Sequence, residues 1–135
     1  MPLSEDNFGI DEEKAGQVLA VLAEALFLIN LMLLPGIAFA ILAGLWLKYR
    51  DSAPPLARQH LHQATVVSLW GGALIVVLGG GIIFAGGLDA AWTWVVLVLY
   101  FTCIHSTLIL FGMYALIKAM AGQRWRFPLI GPRFP

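Results

Sequence analysis

"VLAVLAEALFLINLMLLPGIAFAILAGLWL", residues 18–47, carries one charge, Glu24, and one break, Pro35-Gly36. As a single helix it would be roughly 45 Å long, against a bilayer hydrocarbon core of about 30 Å. Something in the run must give. A carboxylate is costly at mid-membrane, and a proline interrupts the helical hydrogen-bond ladder. The economical reading starts a span at Ala25, leaves Glu24 at the outer interface, kinks near Pro35 and ends at Leu47. A tilted helix, or a broken one that begins earlier, is the other way to fit the run.

The rest of the composition agrees that lipid is the solvent. Of 135 residues 60% are hydrophobic and 12% charged, and the mean hydropathy is +0.84. That charge content is about half of what a soluble domain carries. The formal net charge is zero, which argues against a nucleic-acid partner. Cys103 is the only cysteine, so the chain has no internal disulfide and no CxxC motif. The opening "MPLSEDNFGIDEEK" sets Glu5, Asp6, Asp11, Glu12 and Glu13 against Lys14. This is the opposite of a basic signal-peptide lead. Residues 1–17 read as an acidic, solvated segment, turning helical around Asp11 to Gln17.

Two further apolar runs follow within a transmembrane domain of residues 18–120. Span two covers about 64–88 and span three about 91–117. Only "GGLDAA" joins them, so they form a tight hairpin. Trp92 and Trp94 open span three, where indoles favour the membrane interface. Pro54-Pro55 stops the first helix, and a new one begins near Leu56. The expected fold is therefore all-α, with three transmembrane helices. Lys48, Arg50 and Arg58 precede span two, while Lys118, Arg124, Arg126 and Arg133 follow span three. With three crossings these seven share one side and only Lys14 lies opposite. The positive-inside rule then puts the N-terminus outside and the C-terminus in the cytoplasm of a cell inner membrane.

Thr65, Gly72, Gly79 and Gly86 recur every seven residues, and Ser68 adds a small-xxx-small step to Gly72. In lipid, close approach through small residues is what brings helices together. These positions, with Gly112 on span three, are the expected helix-packing face, within the chain or against another subunit.

Three histidines invite a cofactor reading. Axial imidazoles from neighbouring helices hold b-type haem, but His105 sits roughly 18 Å from the cytoplasmic boundary and His62 at it. One haem cannot bridge the two. His60 and His62, two apart, face different sides of a helix and do not chelate. No metal and no cofactor is expected of this chain alone. His105 reads first as a neutral, hydrogen-bonded packing residue near Thr102, Ser106 and Asn30, with Gly112 one heptad along. The sharper alternative lends His105 to a haem b shared with a partner, to a quinone site, or to a proton relay.

The tail, residues 121–135, alternates charge with aromatics at Arg124, Trp125, Arg126 and Phe127, which suits a membrane interface. Its closing "IKAMAGQRWRFPLIGPRF" and the "ARQHLHQATVV" before span two, through Arg58, Gln59 and Leu61, resemble motifs of a widespread group of small bacterial membrane proteins of unknown function. That group is distantly similar to the small membrane component of the chloroplast inner-envelope import translocon. This sequence departs from the pattern at His62, Gln63 and Ala64, where the group often has Asn, an aromatic and Gln, and in its acidic start. The resemblance implies a three- to four-helix membrane module without recognised catalytic residues.

No nucleophile–base pair, phosphate loop or carboxylate pair emerges; Asp51 and Asp89 are single loop acids. The expectation is a non-enzymatic multi-pass protein serving as an accessory or scaffold subunit of a membrane assembly. Its partners would be the lipid bilayer and other membrane subunits or further copies of itself. The alternatives are a redox-anchor subunit using His105 and a translocation or conducting component.

Overall fold

The structure is a computed structural model that describes residues 5–133, with side chains from Gly16 onward; the ends of the acidic segment and of the tail lie outside these. The described residues are helical with connecting turns and contain no strand. Helix α1 covers Glu5–Met32, α2 Ile37–Tyr49 and α3 Pro55–Ala73. A π-helical turn, Leu74–Leu78, joins α3 to α4, Gly79–Gly86, and α5 covers Ala91–Met120. The acidic lead is thus the first part of α1, whose helix starts at Glu5 rather than near Asp11.

The run 18–47 does not cross as one kinked helix. It folds back at Leu33–Gly36, with Gly36 at φ 86°, a left-handed conformation that glycine adopts without a Cβ clash. The turn is held from within: Asn30 Oδ1 accepts the Gly36 N–H at 2.8 Å, and the N–H groups of Leu33 and Leu34 both reach Ile29 O at 2.9 Å. Pro35 has no N–H, so the carbonyl four residues before it, Leu31 O, loses its helical donor.

Pairings along the helices fix their directions. Gln17 Nε2 donates to Met120 O at 2.6 Å, Phe27 and Leu28 pack on Gly112, and Leu31 meets His105. Helix α1 is therefore antiparallel to α5. It is parallel to α3, with Gly16 against Pro54 and Glu24 against His60. Trp46 beside His62 makes α2 antiparallel to α3. The four elements run up, down, up and down. The start of α1, the α2–α3 loop and the end of α5 share one end of the bundle, whereas three crossings would have put α1 and α5 at opposite ends. With this connection Lys14 joins the other seven basic residues, and all eight lie toward one end.

Lengths differ between the two hairpins. The apolar parts of the first, Gly16–Met32 and Ile37–Tyr49, are roughly 26 and 20 Å long. Pro55–Gly86 and Ala91–Met120 are long and apolar enough to cross a membrane, at roughly 48 and 45 Å. Pro55 starts α3 at the first helical position, where its missing N–H costs nothing. Gly87, at φ 77°, ends α4. Past the tip of the short hairpin the long one is uncovered, and Val76, Val98, Leu99 and Phe84 stand exposed, Phe84 by 93%. Contiguous apolar surface of this kind belongs against lipid or protein, not water.

The return of α1 is directly testable. In a Cys103→Ser background, Gln17→Cys combined with Met120→Cys is expected to form a disulfide under mild oxidation. A three-crossing chain would hold those two positions about 30 Å apart, and no crosslink would form.

Candidate functional site

The bundle end that gathers the basic residues also contains the densest polar cluster. Glu24 of α1 and His60 of α3 are both fully buried, and His60 Nδ1 lies 2.7 Å from Glu24 Oε1. On its other side His60 Nε2 lies 2.8 Å from Gln123 O. A carbonyl only accepts, so Nε2 carries a hydrogen and donates it. One further proton then lies between Glu24 and Nδ1, whichever of the two holds it, and the pair is neutral overall. Glu24 is thus in the interior at the basic end, not at an outer interface.

Two glutamines extend the cluster along the same face. Gln59 Nε2 donates to Trp125 O at 2.7 Å and Gln59 Oε1 accepts from Trp125 N at 3.3 Å. Gln63 Oε1 accepts from Phe127 N at 2.8 Å and from Gln59 Nε2 at 3.3 Å. His60, Gln59 and Gln63 therefore satisfy the tail backbone at residues 123, 125 and 127 in turn, as a neighbouring strand would. An extended segment buried against a helix has no ladder of its own, and its backbone groups need such partners. The two sequence motifs noted above, around Gln59 and around Trp125, are the two halves of this clasp. Glu24 Oε2 and Gln63 Nε2 are buried without a hydrogen bond of their own.

Aromatic packing completes the closure. Phe127 is buried and meets Phe27 edge-on at 5.7 Å and Phe111 at 5.8 Å. Trp125 is half-buried against Phe111 and Tyr114. Phe127 is therefore a core plug where an interface residue was expected, because the tail turns back over the bundle. Arg124 and Arg126 stay exposed, and Arg126 Nε donates to Gly131 O at 2.8 Å. Trp92 and Trp94 are exposed at the far end, where Trp94 Nε1 donates to Leu88 O at 2.8 Å.

Small residues of α3 and α4 meet neighbouring helices, but not with the expected spacing of seven throughout. Thr65, Ser68, Gly71 and Gly79 are buried, whereas Gly72 is exposed. A Cβ on Gly71 would come within 3.1 Å of Leu108, one on Gly79 within 3.7 Å of Leu97, and one on Gly86 would overlap Thr93. Gly72 has nothing within 4 Å. The π-helical turn after Ala73 adds about one residue to the turn it occupies. Positions 71 and 79, eight apart, thus share the face that a uniform helix would give to 72 and 79. A Cβ on Gly112 would come within 2.6 Å of Phe27. His62 faces away from the clasp and accepts from Trp46 Nε1 at 3.2 Å.

His105 answers the gap made by Pro35: its Nε2 sits 2.8 Å from Leu31 O and its ring stacks on Phe101 at 4.9 Å. Among the described residues no group of three His, Cys, Asp or Glu side chains is placed to hold a metal ion.

Two long apolar helices, a short hairpin folded along them and a tail locked into the third helix define a small all-helical protein of membrane type. The family model MamF_MmsF, described as the magnetosome magnetite crystal formation protein family, matches residues 15–134, and the chain belongs to that family. No curated protein and no solved structure matches it. The family and the apolar helices together fit membrane association.

Breaking the buried pair from one side is expected to be expensive. Either Glu24→Leu or His60→Leu should cost about 3–5 kcal/mol, whereas Glu24→Gln, which keeps a donor toward Nδ1, should cost far less. Thermal unfolding in detergent reads this. A double-mutant cycle with no coupling between the two positions would show that the contact does not hold the bundle end together.

Proposed function

We propose that this chain acts in magnetosome magnetite crystal formation as a non-enzymatic, multi-pass membrane protein, an accessory or scaffold subunit of a larger membrane assembly. Family membership supplies the process. The observation that carries the scaffold role is the exposed apolar surface of α4 and α5 beyond the short hairpin, beside a basic end locked by hydrogen bonds. One end is a self-contained fastening; the other offers apolar area to lipid or to a neighbouring subunit.

The same reading sets the orientation. Because Gln17 of α1 lies beside the end of α5, an even number of passes puts both ends of the chain on one side, with the eight basic residues facing the cytoplasm. Asp89, in the α4–α5 turn, faces the opposite compartment. In a Cys103→Ser background, Ser4→Cys and Ala121→Cys should react with an impermeant thiol reagent from the same side of the membrane, and Asp89→Cys from the other. Labelling of Ser4→Cys together with Asp89→Cys would reject this orientation.

The role itself is tested in a magnetosome-forming cell lacking this chain. Fewer or smaller magnetite crystals in electron micrographs are expected, restored by the native chain and poorly by the Gln59→Ala/Gln63→Ala variant. Unchanged crystal size and number would refute it.

A further inference from the structure

The short hairpin ends beside the middle of α3 and α5, and a cavity of about 560 Å³ opens there, within the size range of small-molecule sites. Its walls are apolar, with Phe27, Phe39, Ile75 and Phe101 among them. Three polar groups are also among them. Ser68 lines the cavity, and its hydroxyl is buried with no hydrogen-bond partner although the residue is only 8% exposed. An unpaired hydroxyl in an apolar setting is unfavourable unless something arrives to satisfy it. His105 also lines the cavity. Since its Nε2 must donate to the Leu31 carbonyl, Nδ1 of the neutral ring is a bare acceptor. Asn30 spends its Oδ1 on the Gly36 N–H, which leaves its amide hydrogens as donors.

Depth restricts what can fill this space. Gly72, on the rim, is seventeen residues along from Pro55, roughly 26 Å up the helix and near the middle of the α3–α4 rod. Leu69 and Val76 beside it are exposed, so the mouth opens among apolar side chains. An ionic or zwitterionic headgroup does not reach this depth without a large penalty. The occupant must then be neutral, arrive through hydrocarbon, and carry both a hydrogen-bond acceptor and a donor. A second cavity of about 460 Å³ shares Ile75, Val76 and Phe101 with the first and continues to Ile83, Leu97 and Trp94. It supplies a groove for a long apolar tail.

We infer that this chain binds a membrane quinone. The ring lies against Phe101 with its oxygens at Ser68 and His105: a quinone carbonyl accepts from the Ser68 hydroxyl, and a quinol hydroxyl donates to His105 Nδ1. The isoprenoid tail follows Ile75 toward Ile83. The π-helical turn shapes the wall between the two cavities, and Tyr100 stabilises it by donating its hydroxyl to Leu74 O at 2.7 Å.

The test titrates the purified full chain in detergent micelles with decylubiquinone and follows quenching of tryptophan fluorescence, since Trp94 lines the tail groove. Saturable quenching is expected. Ser68→Ala and His105→Leu should each weaken it about fivefold or more, the worth of one hydrogen bond. Gly72→Leu, whose side chain fills the rim where a Cβ meets nothing, should abolish it, and Asp89→Asn should leave it unchanged. Circular dichroism in the same micelles checks each fold; if His105→Leu unfolds because Leu31 O is uncovered, Ser68→Ala and Gly72→Leu decide. Non-saturable quenching, or a saturable site indifferent to Ser68→Ala and Gly72→Leu, overturns the proposal. Equal competition by a neutral diacylglycerol also overturns it, because the groove would then select for tails rather than for the quinone ring.

Discussion

The contact between Glu24 and His60 holds the bundle in register. Apolar helix faces in a hydrocarbon solvent can slide past one another with little change in energy, because lipid chains contact them as well as a neighbour does. A buried carboxyl facing an imidazole cannot slide, since half a turn of displacement would leave both without partners. His60 touches both Glu24 and the tail, so α1, α3 and the chain beyond α5 are fastened together there. With α1 fixed beside α3, the break at Pro35 becomes a full reversal, and α2 must return along α3.

That coupling also explains which parts were legible in the sequence. The long hairpin was visible because its two runs are each long enough to cross and the loop between them is too short for another arrangement. The first run is hard to read because Glu24, taken alone, is an isolated charge, for which the interface is the cheapest place. Its partner lies thirty-six residues away in α3, and no local pattern announces a pair at that distance. Two signals pointed to the right answer. Lys14 was the one basic residue on the wrong side of a three-span chain, and Pro35 divides the run into pieces each shorter than a membrane. The clasp was half legible: the Gln59 and Trp125 motifs stood out separately, but only folding shows that an extended tail needs side-chain partners and that α3 supplies them.

The packing stripe on α3 and α4 failed in a different way. The repeat of seven runs across a segment that does not have uniform pitch. The π-helical turn at Leu74–Leu78 shifts the face by about one residue, so Gly71 rather than Gly72 lies under Leu108. Beyond the turn the spacing holds, as Gly79 and Gly86 show by meeting Leu97 and Thr93. A helix rich in glycine tolerates such a turn because few side chains need to be rearranged around it. The sequence marks the region as loosely specified without saying where the extra residue goes.

The two ends of the molecule are stabilised by different physics, and the difference bears on the proposed role. At the basic end, hydrogen bonds to the tail backbone and a ring cluster around Phe127 make the structure complete in itself. At the other end glycine contacts between α4 and α5 and the single hydrogen bond from Trp94 to Leu88 O hold the helices, and the outer faces stand exposed. His105 lies between these regimes. By donating to the carbonyl that Pro35 orphans, it lets the first hairpin turn back beside the middle of α3 and α5, and that early turn creates the cavity beside it. One imidazole thus closes the short hairpin and exposes the long one. An ionisable ring in an apolar run is thus the counterpart of a proline seventy residues earlier, and the cavity beside them is space those two residues define.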